Sequence, residues 1–211
     1  MNWYDLSHPI SESMPVFPGD PAVSVTRLFE HQTDGLQLCQ ITLGSHAGTH
    51  LDVPRHFLKD GAAVDDMPVN LFCQPAWVTA VVPGPDGLID LSDLDLSCLQ
   101  PQGALLLSTG WAEKWDQSDY FTACPVFAEG TSEILLRSGI RMFGVDLPTV
   151  SEPGNSRAPD LMHIKLLSAG IILVENLTNL SGLIGLPVEF FAFPLRIAGC
   201  DGSPVRAVAR C

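Results

Sequence analysis

Basic residues are scarce in this chain. Its 11 lysines and arginines face 24 aspartates and glutamates, for a formal net charge of −13. Such a surface repels a phosphate backbone and an anionic bilayer, so neither nucleic acid nor a membrane is an expected partner. No apolar run reaches the ~18 residues that a spanning helix needs. The six cysteines form no CxxC pair, which removes the zinc-ribbon and thioredoxin readings. GxGxxG, Walker A, HExxH and GxSxG motifs are missing, and with them the usual signatures of dinucleotide, P-loop, zincin and nucleophile-elbow chemistry. Internal repeats and low-complexity stretches are absent. The opening MNWYDLSHPISE has neither the basic nor the apolar region of a secretion signal. A cytoplasmic protein with reduced thiols is therefore expected.

What the chain has in quantity is apolar surface. With 211 residues, 46% of them hydrophobic, it can bury the core of one compact domain spanning 1–211. Its 17 prolines and 18 glycines are scattered, as suits many short elements joined by turns. Strands are predicted at 3–7, 22–29, 36–43, 76–82, 103–108, 140–145, 170–175, 188–197 and 205–209, with a bulge near Cys39-Gln40. Helices are predicted at 125–138 and 159–169, and a shorter one at 90–97. Pro159 would open the second of these and Gly170 would follow it. The fold class is α/β, a single strand-rich mixed domain.

Chemistry concentrates in GSHAGTHLDVPRHF, residues 44–57. His46, His50, Asp52 and His56 are of the types that bind Zn²⁺ and related divalent ions. Extended backbone would place His50 and Asp52 on one face, ~6.6 Å apart, within reach of one ion. His46 would lie ~13 Å from His50 on the same geometry, so the chain must bend between them. Ala47-Gly48 is where a bend is easiest. His56, beyond Pro54, is either a further ligand or a proton shuttle, because imidazole titrates near ~6.5. A second cluster is HIKLLSAGIILVEN, with His163 on the predicted helix and Glu175 ending the next strand. A carboxylate after so apolar a run is costly unless it is paired or metal-bound. Taken alone, a helix-surface histidine and a solvated strand end remain alternatives. Asp146, at another strand end, reads as a structural or hydrogen-bonding residue.

The stretch 44–57 resembles the HxGTHxDxPxH signature of the cyclase family of metal-dependent hydrolases, which includes bacterial kynurenine formamidases (arylformamidases) and isatin hydrolases. DLSHPISESMPVFPGDP, LLLSTGW at 105–111, FGVDLPTV at 143–150, HIKLLSAGIILVENLTNL at 163–180 and DGSPVRAVA at 201–209 resemble further blocks of that family, in order. The resemblance implies the fold of that family and one or two divalent metal ions, zinc first and manganese next. His46, His50 and Asp52 would hold the first ion. His163 and Glu175 would hold a second, with Asp52 and Glu175 bridging. His56 would be the catalytic proton donor and acceptor. Phe17 stands where formamidases carry a substrate-contacting tryptophan. The implied activity is hydrolysis of a non-peptide C–N bond in a small aromatic amide, arylformamidase-like, with metal-activated water. Cyclic-amide hydrolysis of the isatin-hydrolase type, lyase or cyclase chemistry, and metal binding without catalysis are the alternatives. A homodimer or larger homo-oligomer is implied, with the Phe17 loop serving its own or a neighbouring subunit's site.

Overall fold

The computed structural model of the protein describes residues 1–151 and 160–211. Thirteen strands occur among these residues: β1 (Trp3–Asp5), β2 (Ser24–Phe29), β3 (Leu38–Thr42), β4 (His50–Asp52), β5 (Cys73–Ala80), β6 (Leu88–Ile89), β7 (Ala104–Ser108), β8 (Val126–Phe127), β9 (Met142–Val145), β10 (Ile172–Glu175), β11 (Pro187–Phe191), β12 (Gly202–Pro204) and β13 (Val208–Arg210). Three α-helices accompany them: α1 (His31–Asp34), α2 (Thr131–Ser138) and α3 (Leu161–Ser168).

Nine strands form one mixed sheet in the order β1-β13-β11-β5-β7-β9-β10-β4-β12. Its centre, β5-β7-β9-β10, is parallel. Both flanks are antiparallel. Parallel central strands are covered on both faces and so read as unbroken apolar runs. β7, Ala-Leu-Leu-Leu-Ser, is buried at every position. Alternation along it divides the core: Leu106 packs with Leu51, Val174 and Phe190, while Leu105 and Leu107 pack with Phe143, Leu173 and Leu166 of α3. Each such leucine contributes roughly 1.5–3 kcal/mol of burial. That gain holds β10 and α3 in place, and these two elements carry Glu175 and His163.

Several predicted elements differ from the structure. The helix expected at 90–97 is a pair of turns, in which Asp90 and Asp95 carboxylates accept from the Ser92 and Ser97 amides. Such local side-chain bonds compete with helix formation. The helix expected from 125 starts at Thr131, because Val126 and Phe127 pair with β6 instead. The bulge lies on β2, between Arg27 and Phe29, rather than at Cys39-Gln40. The strand expected to reach 197 ends at Phe191, short of Pro194, a residue that cannot donate to a ladder. The strand expected at 205–209 begins at Val208, and β12 precedes it unforeseen. α3 runs 161–168, while the predicted start at Pro159 lies outside the described residues. No described helix is long and apolar enough to cross a membrane.

Candidate metal centre and active site

β4 is three residues long, and its alternation builds the site. Leu51 points into the core, leaving His50 and Asp52 on the opposite face. In the antiparallel register with β10, Glu175 lies directly across from His50. α3, packed on that face through Leu166 and Leu167, lowers His163 onto the same spot. The expected bend falls at Gly48, whose φ of 66° is in the left-handed region that glycine adopts at least cost. It folds His46 back beside His50, with ring centroids 5.0 Å apart. Asn176 braces this bend: its side-chain amide donates to the Gly48 carbonyl, and its own carbonyl accepts from the Thr49 hydroxyl. The Tyr120 hydroxyl donates in turn to Asn176.

The geometry at the centre is paired. His50 Nε2 lies 3.4 Å from Asp52 Oδ1 and 3.5 Å from Glu175 Oε2. His163 Nε2 lies 3.4 Å from Asp52 Oδ2 and 3.4 Å from Glu175 Oε1. Each histidine thus faces one oxygen of each carboxylate. These separations exceed the 2.7–3.2 Å usual for N–H···O hydrogen bonds. They do match the edge of a tetrahedron with metal–ligand bonds of ~2.0–2.1 Å, which is about 3.4 Å. Asp52 Oδ2, fully buried, has no hydrogen-bond partner among the described residues, a costly state that a cation would relieve. The donor set therefore fits a divalent metal.

Each of these imidazoles has its other nitrogen anchored, as ligating histidines generally do. His50 donates Nδ1–H to the Gly48 carbonyl at 2.9 Å. His163 donates Nδ1–H to Asp160 at 2.7 Å, with Ser151 Oγ also 2.6 Å away. His46 sits between two carboxylates, its Nδ1 2.7 Å from Asp52 Oδ1 and its Nε2 3.0 Å from Asp201 Oδ2. His56 ends a 3₁₀ turn, Pro54–His56, and its Nδ1 lies 3.1 Å from Asp201 Oδ2. Its ring is 3.9 Å from that of His46 and lines the cavity.

The electrostatics follow from this packing. Burial opposes charge on His50, but the neighbouring Asp52 and Glu175 carboxylates win and push the imidazole up to about 10. His163 rises well above its ordinary value in the same contest, held by Asp160, Asp52 and Glu175. Burial favours a protonated Asp52, yet His163, His46 and His50 hold it well below the usual carboxylate range. Glu175 is lowered against burial and the Asp52 charge by His163 and His50. His56 is the exception: burial prevails and lowers it, which favours a neutral ring.

A cavity of about 600 Å³ opens over the centre. That volume lies within the range of small-molecule sites. Phe17, Phe57, Phe121 and Pro148 supply its apolar walls, and Phe17 meets Phe121 edge-to-face at 5.6 Å. All six sequence-predicted side chains at the centre, and Phe17, come together here. Asp146 has the structural role expected of it, accepting from the Thr109 amide and hydroxyl and from the Gly110 amide. Sequence reading missed Phe121, Asn176, Ser151, Asp160 and Asp201. Only Asp160 carried a local signal, being the acid that caps α3 by accepting from the His163 amide.

The turn that carries His56 tolerates no side chain at Gly61. A β-carbon there would stand 2.5 Å from the Pro54 carbonyl carbon and 2.8 Å from the Arg55 nitrogen. Gly61→Ala is expected to cost about 1–3 kcal/mol, as overpacking does. It should lower the thermal midpoint and reduce activity while leaving metal content near that of the parent. An unchanged melting curve would refute the contact.

Comparison with known proteins finds a matching family and matching folds. The Cyclase family model ("Putative cyclase") matches residues 4–152. A kynurenine formamidase of Geobacillus thermodenitrificans is 33% identical, over 99% of this chain and 97% of that protein. Among solved structures, isatin hydrolase A from Labrenzia aggregata, bound to benzyl benzoate, superposes with a TM-score of 0.87 at 23% identity, covering 99% of this chain and 93% of that one. A potential metal-dependent hydrolase with cyclase activity gives 0.80 at 25% identity, covering 99% and 96%.

Proposed function

Because the chain belongs to the cyclase family of metal-dependent hydrolases, we propose that it hydrolyses a non-peptide C–N bond in a small aromatic amide, with release of formate from N-formylkynurenine as the leading activity. The observation that carries this reading is the pair of histidines facing both oxygens of a shared Asp52–Glu175 pair. His46, His50 and Asp52 would hold one divalent cation, and His163 with Glu175 and the second Asp52 oxygen would hold another. Mixed nitrogen and oxygen donors suit zinc, with manganese next. A divalent cation so placed supplies Lewis acidity toward a carbonyl oxygen and acidifies water for attack. His56 engages Asp201 through Nδ1, so Nε2 is the nitrogen that takes a proton from water and returns it to the leaving nitrogen. Phe17 and Phe121 offer an aromatic corner for a flat ring.

The assembly proposed is a homodimer. β2 and β3 form a separate two-stranded ribbon on which Leu28, Phe29, Leu38 and Ile41 are all exposed. A ribbon of this kind is marginal alone, and a second copy would cover it beside the Phe17 loop. An active monomer in light scattering would refute the dimer. A reducing, cytoplasmic setting belongs to the same reading, since all six cysteines are free thiols.

The test is metal analysis joined to an N-formylkynurenine assay before and after chelation. About two equivalents of metal are expected, with formate release abolished by chelator and restored by zinc. A metal-replete enzyme that opens isatin but releases no formate would transfer the reading to cyclic amides. One inert to both would overturn it.

A further inference from the structure

The DGSP block at 201–204 supplies no metal ligand in the reading above, yet it reaches the centre. Asp201 Oδ2 lies 3.0 Å from His46 Nε2 and 3.1 Å from His56 Nδ1, so one oxygen serves two imidazoles. Its other oxygen accepts from the Ser45 hydroxyl at 3.0 Å. The backbone here is held on both sides. The Asp201 carbonyl accepts from the Val53 amide, and Gly202 pairs with Asp52 across β12 and β4. Gly202 also lies under the His46 ring: a β-carbon there would stand 2.5 Å from His46 Cε1 and 2.7 Å from the Leu51 carbonyl oxygen. The two histidines that Asp201 joins have different tasks, one as a ligand and one as a proton carrier.

We propose that Asp201 is a positioning residue that orients both, holding His46 with Nδ1 toward Asp52 and His56 with Nε2 toward the cavity. A carboxylate that accepts from a ligating histidine fixes its tautomer and ring orientation. Here the same oxygen also restrains the ring that moves the proton, so metal uptake and proton transfer share one support. The catalytic half of this inference rests on the proposed hydrolase activity. The metal-binding half does not.

The experiment compares the holoenzyme with Asp201→Asn. Zinc affinity is read by chelator competition, and kcat and KM with N-formylkynurenine. Zinc affinity is expected to weaken ~10–100-fold. The zinc-saturated variant is expected to lose at least tenfold in kcat with KM nearly unchanged. In a His56→Ala background, Asp201→Asn should lower kcat no further, because the group it orients is gone. Retained zinc affinity overturns the proposal whatever the substrate proves to be. Independent, multiplying effects of the two substitutions on kcat overturn its catalytic half. A loss of thermal stability with zinc affinity and kcat kept would leave Asp201 merely structural, and the proposal would fall. Asp201→Ser is read in the same assays if the asparagine variant does not fold.

Discussion

Asp52→Ala is expected to yield a folded protein that holds no metal and has lost at least ~10³-fold in hydrolysis. Asp52 faces His46, His50 and His163 at once, and it is 1% exposed. Removing it deprives both proposed ions of a ligand, so one substitution empties the whole centre. The loss of one oxyanion donor typically costs 10²–10³-fold, and the ions supply more than one such donor. The cost to folding is smaller. Breaking a buried ion pair costs ~3–5 kcal/mol when a charge is left behind. Here His46, His50 and His163 can shed their protons, so the cost falls below that range. A domain with the usual 5–15 kcal/mol in hand survives it. Elemental analysis, circular dichroism and initial rates check the three parts. Stoichiometric metal in Asp52→Ala would sink the assignment of the centre.

His56→Ala is expected to keep its metal and lose about 10²–10⁴-fold in kcat, the usual contribution of a general acid–base group. The ring lines the cavity, contacts Asp201, and has its centroid 3.9 Å from that of His46. Its neighbours Phe57 and His46 are held by other contacts, so stability should change little. Metal content separates the two roles that the sequence leaves open. If the ions leave with the imidazole, His56 is a ligand. If metal stays and kcat stays as well, the proton-carrier role is gone.

The contrast between these variants reflects how much of the site can be read without coordinates. HAGTHLDVPRH brings four side chains of the proposed site within a few residues, and the reach of backbone geometry demands a bend at Gly48, which the structure has. Glu175 is legible for a different reason: a carboxylate closing Ile171-Ile172-Leu173-Val174 has to be neutralised by something. His163 is legible through the family resemblance, and Asp160 through capping. Asp201 is not legible by either route. It stands 145 residues from His56, and nothing in DGSP distinguishes it from an ordinary turn. The helix expected at 90–97 fails for the opposite reason. Its apolar spacing is real, but Asp90 and Asp95 bind their own backbone first.

The sequence by itself determines the chemistry of the centre and the character of the elements, because ligand type, apolar periodicity and a glycine at a forced bend are local properties. Only the tertiary structure decides that β4 lies between β10 and β12. That placement sets Glu175 opposite His50 and Gly202 opposite Asp52. It brings Asp201 to His46 and His56, and it sets one oxygen of Asp52 and one of Glu175 before each of His50 and His163. Strand order is set by burying both faces of the central strands at once, a requirement on the whole chain that no short stretch of sequence expresses.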